Sequence, residues 1–260
     1  MRPSETTGRD ASIRLRRHYG VARDAVIRTR GLRSCVRLKR PVDTPGSARH
    51  ATNVSRVQVA EIRQGLWRWT IDHPEWEPGE KWDPVVGSVF AELPDAALLI
   101  DPLVPTDAAD AEHFWQALDR DVERLAQPVH VLLTAHWHER STEAVLERYR
   151  ATLWRPEQPT ELPSGVEALI VRGSDWVEAL FYLEPWRALV VGDLLVGDAG
   201  GVRVPVDWFP TEEQDWARSE LKHQLRHAVG DRDVDLVLVS HGEPVLEGGR
   251  QALESALGVR

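Results

Sequence analysis

The stretch LLTAHWHERSTEAV, residues 132–145, joins an apolar run to two histidines that are separated by one tryptophan. Residues 129–135 predict a buried strand, because a short run of apolar residues is typical of strands covered on both faces. Side chains alternate along an extended backbone, so we expect His136 and His138 to face the same side. Two imidazoles on one side can bind a single metal ion. The stretch therefore predicts a strand that carries a pair of metal ligands.

The sequence around this stretch alternates between strand and helix patterns. Apolar alternation predicts a hairpin over 57–71 that turns at Gln64-Gly65, and Ser141 is a natural N-cap for the helix that follows the two histidines. Antiparallel strands interrupted by helix and strand crossovers predict an α/β (α+β) protein with two mixed sheets and helices outside them. Further strands are predicted at 85–93, 96–102, 166–171, 177–183, 187–193 and 234–240, and helices at 107–126, 142–150, 211–229 and from about Leu246.

Two other predicted strands also end in possible ligands. Asp193 follows ALVVG, and His241 follows VDLVLVS. Each is weak evidence alone, since Gly192-Asp193 is also typical of a turn and a histidine in a loop needs no metal. Strand ends in mixed sheets converge on one edge, where open loops form sites. Neutral imidazoles and a carboxylate are ligands that zinc accepts at about 2.0–2.2 Å. The order of these residues therefore favours a metal site.

These segments resemble the metallo-β-lactamase fold superfamily over about residues 57–260. The matching segments, in chain order, are LLIDPL with Asp101, LLTAHWHERS, VRGSDW, LVVGDLL and LVSHGEPV. The resemblance implies a four-layer αββα sandwich of two mixed β-sheets flanked by helices. It places the site at the open edge of the two sheets, with Asp101 as a structural residue beneath it.

The chain departs from the metal-binding motifs of that family. In the HxHxDH motif, Arg140 and Ser141 stand where the family has Asp and the last His. In the loop that carries the next ligand, Gly173 is kept but Ser174 stands in place of His. Three of the family's seven usual ligands are missing, so we expect one zinc or other divalent ion and not two. The ligands that remain for it are His136, His138, Asp193 and His241.

Two functions are compatible with this incomplete set. The resemblance implies a hydrolase that uses one metal to cleave an ester, thioester, lactone or phosphoester. Arg140 cannot accept a proton, so Glu139 or Asp175 would have to serve as base, although Glu139 also suits the start of a helix. The alternative is a non-catalytic binding protein of the same fold, in which Arg140 pairs with Asp193 in place of a metal. Four tryptophans lie in the region that would form a lip over the site: Trp67, Trp69, Trp76 and Trp82. Trp67 and Trp69 share one strand face and are equally compatible with the core.

Charge is distributed unevenly along the chain. Residues 1–56 hold 14 Lys and Arg against four Asp and Glu, a formal charge of +10, while the remainder holds 18 against 37, a charge of −19. A basic segment could bind nucleic acid or act as a targeting peptide. We interpret residues 1–56 as a disordered or misassigned N-terminal extension, because they lack sustained apolar periodicity. Residues 57–260 are predicted to form the folded domain.

Composition limits the partners and the compartment. The acidic domain is not expected to bind nucleic acid, and no apolar stretch reaches the roughly 18 residues of a membrane span. A small-molecule substrate or ligand is the expected partner. Cys35 is the only cysteine, so an internal disulfide is impossible, and we predict a cytoplasmic location.

Overall fold

The computed structural model describes residues 57–258. The interpretation of residues 1–56 and of Cys35 falls outside the described residues and stays a prediction. None of the helices within 57–258 is both long enough and apolar enough to cross a membrane.

The first half of the described chain forms a six-stranded mixed sheet. Its strands lie in sequence order: β1 (Gln58–Arg63), β2 (Leu66–Asp72), β3 (Val85–Glu92), β4 (Ala97–Ile100), β5 (Val129–Leu132) and β6 (Thr152–Trp154). Strands β1 to β4 pair antiparallel, whereas β4, β5 and β6 pair parallel. The parallel pairs require crossovers, which are the helices α1 (Ala108–Leu125) and α2 (Thr142–Tyr149).

The second half forms a four-stranded mixed sheet. Its strands are β7 (Val166–Arg172), β8 (Val177–Leu183), β9 (Ala188–Val191) and β12 (Leu236–Val239), in the spatial order β12-β9-β8-β7. Only β12 and β9 pair parallel. A small hairpin of β10 (Val196–Asp198) and β11 (Gly201–Arg203) follows β9. The helices of this half are α3 (Gln214–Trp216), a π-helical segment (Ala217–Leu221), α4 (Lys222–Val229) and α5 (Gly249–Leu257).

Three hydrophobic clusters define four layers. One lies between the sheets and contains Leu98 and Ile100 of β4 with Phe181 and Leu183 of β8. A second packs the outer face of the first sheet against α1 and α2. A third packs the outer face of the second sheet against the π-helical segment, α4 and α5, where Leu225 is fully buried. This arrangement confirms the predicted αββα sandwich of two mixed sheets.

Helix α1 shows how local signals set an element's ends. The Asp107 side chain accepts hydrogen bonds from the backbone N–H groups of Ala109 and Asp110, which caps the first turn. Ala126, with φ of 52°, ends the helix in the left-handed conformation. The predicted span 107–126 therefore matches the helix with its two caps. Strands β6, β10 and β11 were not predicted, because three residues are too few to show a period.

The predicted cap of α2 is only half correct. Ser141 is the N-cap residue by position, but its side chain makes no capping hydrogen bond. Its Oγ instead accepts a hydrogen bond from the backbone N–H of Val104, at 2.9 Å. Ser141 therefore ties α2 to the loop that follows β4, beside the site.

Candidate metal centre

Four strands of the two sheets end at one edge of the sandwich. Strands β4 and β5 deliver Asp101 and the His136–His138 segment from the first sheet. Strands β9 and β12 deliver Asp193 and His241 from the second sheet. The two sheets therefore meet at this edge through polar side chains, as the sequence predicted.

A triad of possible ligands forms at this edge: His138, Asp193 and His241. Their ligand atoms all lie within 4.8 Å of one another. Asp193 Oδ1 is 3.2 Å from His138 Nε2 and 3.3 Å from His241 Nε2. The two histidines are only 4% and 7% exposed, so they present ring nitrogens to the carboxylate and not to solvent.

The geometry of the triad fits a metal ion. Asp193 Oδ1 is buried, and its contacts with the two imidazoles do not meet hydrogen-bond geometry. Ligands bound tetrahedrally to zinc at 2.0–2.1 Å are separated by about 3.3 Å, which agrees with the two distances from Asp193 to the histidines. Two nitrogens and one oxygen are ligands of the type zinc uses. Three protein ligands would leave a fourth position open, as in catalytic zinc sites.

Asp101 and Thr134 fix the orientation of His138. Asp101 Oδ2 lies 2.9 Å from His138 Nδ1, and Thr134 Oγ1 lies 2.7 Å from the same nitrogen. The Thr134 hydroxyl and backbone N–H both donate to the Asp101 carboxylate. A proton on Nδ1 satisfies the carboxylate and leaves Nε2 to face the triad. Metal-bound histidines commonly use such a carboxylate partner.

The electrostatics of the triad are strongly coupled. Burial disfavours the charged form of His138, but the negative charges of Asp193 and Asp101 raise its pKa to about 10. Burial also disfavours the charged form of Asp193, yet the positive His138 holds the pKa of this carboxyl well below its ordinary range. The two groups therefore form a buried ion pair when no other cation lies between them.

The structure does not bring His136 into the triad. Residues His136–His138 form a 3₁₀ turn and not extended backbone, so the expectation that both rings face one side is wrong. Successive residues in such a turn point about 120° apart, which turns His136 away from His138. The His136 side chain is 60% exposed, and its Nδ1 lies 3.5 Å from Glu157 Oε1.

Arg140 lies near the triad but does not pair with Asp193, so the predicted ion pair is wrong in this structure. Its guanidinium donates hydrogen bonds to the backbone carbonyls of Gly87 and Asp101, at 2.9 and 3.0 Å. A third hydrogen bond reaches Ser240 Oγ at 2.7 Å. These acceptors belong to both sheets, so Arg140 connects them beneath the triad. The positive charge nevertheless lies close enough to influence Asp193 and Asp101.

Glu178 is a site residue that the sequence analysis missed. It sits on β8, is 1% exposed, and accepts hydrogen bonds through Oε1 from the backbone N–H groups of Asp193 and Leu194. Burial and the negative charge of Asp193 raise its pKa well above the ordinary value. Glu178 therefore fixes the backbone that carries Asp193. In the sequence, the one indication that Glu178 has a special role is its position as a charged residue within a predicted apolar strand.

Aromatic rings flank the outer side of the triad. Trp82 and Trp208 pack edge to face on His241, with ring centroids 5.3 and 5.1 Å away. His73 packs on Trp82 in the same manner. Burial and the positive charge of Arg140 lower the pKa of His73 to about 4, so its ring is neutral at pH 7. Of the four candidate lip tryptophans, Trp82 therefore contacts the site.

The other tryptophans and the candidate bases lie elsewhere. Trp69 is 4% exposed in the outer cluster of the first sheet, and Trp67 packs against the same cluster. Glu139 is exposed and pairs with Arg155 at 3.1 Å. Asp175 accepts a hydrogen bond from the Ser174 hydroxyl. Neither carboxylate belongs to the triad. A cleft of about 320 Å³ holds no triad residue among its lining side chains, which include His136, Glu157, Arg172, Ser174, Asp175 and Trp176.

Comparison with known proteins identifies the fold. No protein-family model matches the chain, and no curated protein matches it. Among solved structures, VMB-1 at pH 5.5 aligns with a TM-score of 0.53 and 12% identity, over 80% of this chain and 97% of VMB-1. A metallo beta lactamase from Erythrobacter litoralis, with beta mercaptoethanol in its active site, aligns with a TM-score of 0.50 and 16% identity. That alignment covers 78% of this chain and 95% of the enzyme.

These likenesses at low identity establish architecture and not activity. Together with the observed layers, they show that this chain has the metallo-β-lactamase fold.

Proposed function

We propose that this protein is a hydrolase that uses one divalent metal ion, with zinc the best match, bound by His138, Asp193 and His241. The observation that carries this proposal is the convergence of three ligand atoms within 4.8 Å of one another. One of them, the buried Asp193 Oδ1, has no hydrogen-bond partner. We further propose a small molecule as the substrate: an ester, thioester, lactone or phosphoester.

The metal, when bound, would lower the pKa of a water molecule and polarise the carbonyl or phosphoryl oxygen of the substrate. Asp101 and Thr134 hold the His138 ring so that Nε2 stays directed at the triad. Arg140 contributes a fixed positive charge and cannot remove a proton.

The first experiment is metal analysis of the purified full chain. After chelation and reloading with zinc, manganese or iron, we expect about one equivalent bound, and none in a His138→Ala/His241→Ala double variant. The matched control is His136→Ala, because that exposed ring lies outside the triad and its loss should leave binding unchanged. Circular dichroism establishes that each variant is folded. A folded wild type that takes up none of these metals would rule out the proposal.

The second experiment tests the reaction class. The reloaded protein is assayed against chromogenic esters, thioesters, lactones and phosphoesters, with the double variant as background. Turnover of one class that the double variant lacks supports a hydrolase. Bound metal without turnover of any of these classes would contradict the hydrolase activity while leaving the metal site in place.

A second candidate function, a non-catalytic binding protein, is favoured by the charges around the triad. The His138 ring lies 2.9 Å from one carboxylate and 3.2 Å from the other. The positive charge of Arg140 lies close enough to influence both carboxylates, and its guanidinium connects the two sheets. Two positive side chains can therefore balance Asp101 and Asp193 without a metal. This candidate predicts a folded, metal-free protein, so the metal analysis separates it from the hydrolase.

A further inference from the structure

We propose that Trp137 is a positioning residue that assigns the two carboxylate oxygens of Asp193 to different partners, so that a single oxygen faces the two imidazoles. This inference rests on the proposed function, because it concerns how the same ligand is presented to a metal ion.

The contacts of Asp193 are divided between its two oxygens. Trp137 Nε1 donates a hydrogen bond to Oδ2 at 2.8 Å. The other oxygen, Oδ1, lies 3.2 Å from His138 Nε2 and 3.3 Å from His241 Nε2. An indole N–H is only a donor, so Trp137 orients the carboxylate without competing with it for a cation.

The 3₁₀ turn places Trp137 where this contact is possible. Consecutive side chains of the turn diverge, so His138 points inward while Trp137 lies on the outer side of Asp193. Trp137 is 41% exposed, which is unusual for so large an apolar side chain. Its ring also lies edge to face with the exposed His136 ring, at 4.8 Å between ring centroids. The hydrogen bond to Asp193 is therefore made by a ring that is only partly covered by the protein.

Replacing the indole with a phenyl ring isolates the role of the N–H group. Trp137→Phe keeps an aromatic ring in the turn but removes the donor, which frees Oδ2 to bind a metal together with Oδ1. We expect zinc affinity to fall about 10- to 100-fold, as for other groups that orient metal ligands. We also expect the visible absorption of bound Co²⁺ to weaken, because a carboxylate that binds through both oxygens raises the coordination number.

Trp186→Phe is the matched control. It removes an indole hydrogen bond of similar length, 2.9 Å to the carbonyl of Gln64, on a part of the surface that holds no triad residue. Zinc affinity and the Co²⁺ spectrum should match those of the wild type. If Trp137→Phe also matches a wild type that binds zinc, the positioning role is overturned while the metal site stands.

A measurement on metal-free protein separates this inference from the proposed function. The Trp137→Phe spectrum identifies the Trp137 indole signal among the ¹H–¹⁵N resonances. Asp193→Ala should shift that signal upfield and speed its hydrogen exchange if the indole donates to the carboxylate. If Asp193→Ala changes the indole signal but the wild type binds no zinc, the metal-dependent function is rejected and the contact between Trp137 and Asp193 is retained. An unchanged signal would overturn the inference whether or not zinc binds.

Discussion

Asp101 combines an unusual backbone conformation with a side chain that orients His138. Its φ of 47° lies in the left-handed region, where Asp and Asn are tolerated better than most residues. This conformation turns the chain at the end of β4 and directs the carboxylate at Thr134 and His138. The expectation that Asp101 organises the loop beneath the site agrees with these contacts.

Asp101→Asn should weaken metal binding without unfolding the protein. Asn accepts the left-handed backbone and keeps one acceptor oxygen, but it removes the negative charge that holds His138. We expect zinc affinity to fall about 10- to 100-fold, measured by competition titration. Asp95→Asn is the control, since Asp95 is exposed and accepts a hydrogen bond from the Ser164 backbone away from the triad. Equal zinc affinity in the Asp101 variant and the wild type would contradict this role.

Gly192 lets the chain pass closely beneath the triad. A Cβ at this position would lie 2.5 Å from Thr134 Oγ1 and 2.8 Å from Glu178 Oε1. Both side chains are buried and hydrogen-bonded, so they cannot move aside without disturbing Asp101 or Asp193. The glycine of the LVVGDLL segment is therefore required for space, and its backbone φ is not unusual.

Gly192→Ala should reduce both stability and metal affinity. Overpacking a filled interior costs about 1–3 kcal/mol, and we expect a loss of this size in the free energy of unfolding. Denaturant titration measures it, with Gly201→Ala as control, because a Cβ there would meet only the Asp198 carbonyl at 3.7 Å. If the Gly192 variant is as stable as the control, the neighbouring side chains can move to accommodate the Cβ, and the prediction is wrong.

Two arginines join the sheets at the edge that carries the site. Arg140, which lies just before α2, connects Gly87 and Asp101 of the first sheet with Ser240 beyond β12. Arg68 of β2 donates to the carbonyls of Val239 and Gly242, at 3.1 and 3.0 Å. Each guanidinium therefore holds the end of β12 and the loop after it against the first sheet.

Arg140→Met should destabilise the sandwich even without metal. The variant keeps much of the side-chain volume but removes three hydrogen bonds. The Asp101 carbonyl keeps a hydrogen bond from Ser88 Oγ, and the Gly87 carbonyl keeps a longer one from Ser240 Oγ, so we expect a loss of about 1–3 kcal/mol in the free energy of unfolding. Denaturant unfolding in the presence of a chelator gives this value directly. Arg155→Met serves as control, because it removes an exposed ion pair with Glu139 that is worth less than about 1 kcal/mol. Losses of equal size in the two variants would count against the connecting role of Arg140.

The triad draws its members from both sheets of the sandwich. His138 follows β5 of the first sheet, whereas Asp193 and His241 follow β9 and β12 of the second. An ion held by all three would therefore link the two halves of the fold. Because the ligands are separated along the chain, the unfolded state cannot present them together, and binding stabilises the native state.

Zinc should raise the free energy of unfolding of the whole domain. At 100 times its dissociation constant, a ligand specific for the native state adds about 2.7 kcal/mol. Denaturant titrations with and without zinc test this, and magnesium is the matched control because it prefers oxygen ligands. Stabilisation by magnesium equal to that by zinc would indicate nonspecific binding to the acidic surface. No stabilisation by either ion would contradict the metal centre.

Apolar periodicity determined most of the fold. The hairpin over 57–71, the long helix at 107–126 and the apolar strands follow from local patterns, because burial selects the residues of each element. Order along the chain was also enough to bring His138, Asp193 and His241 to one edge. Only the tertiary structure decided how the rings of residues 136–138 are oriented at this edge.

The sequence misplaced His136 because a His-x-His pair does not specify whether its backbone is extended or turned. A 3₁₀ turn after β5 directs His138 inward and His136 outward, and places Trp137 on Asp193. The partners of Arg140 and Glu178 were equally hidden, since their hydrogen bonds join segments far apart in sequence. Local patterns specify which side chains approach an edge, whereas packing of the two sheets specifies which atoms meet.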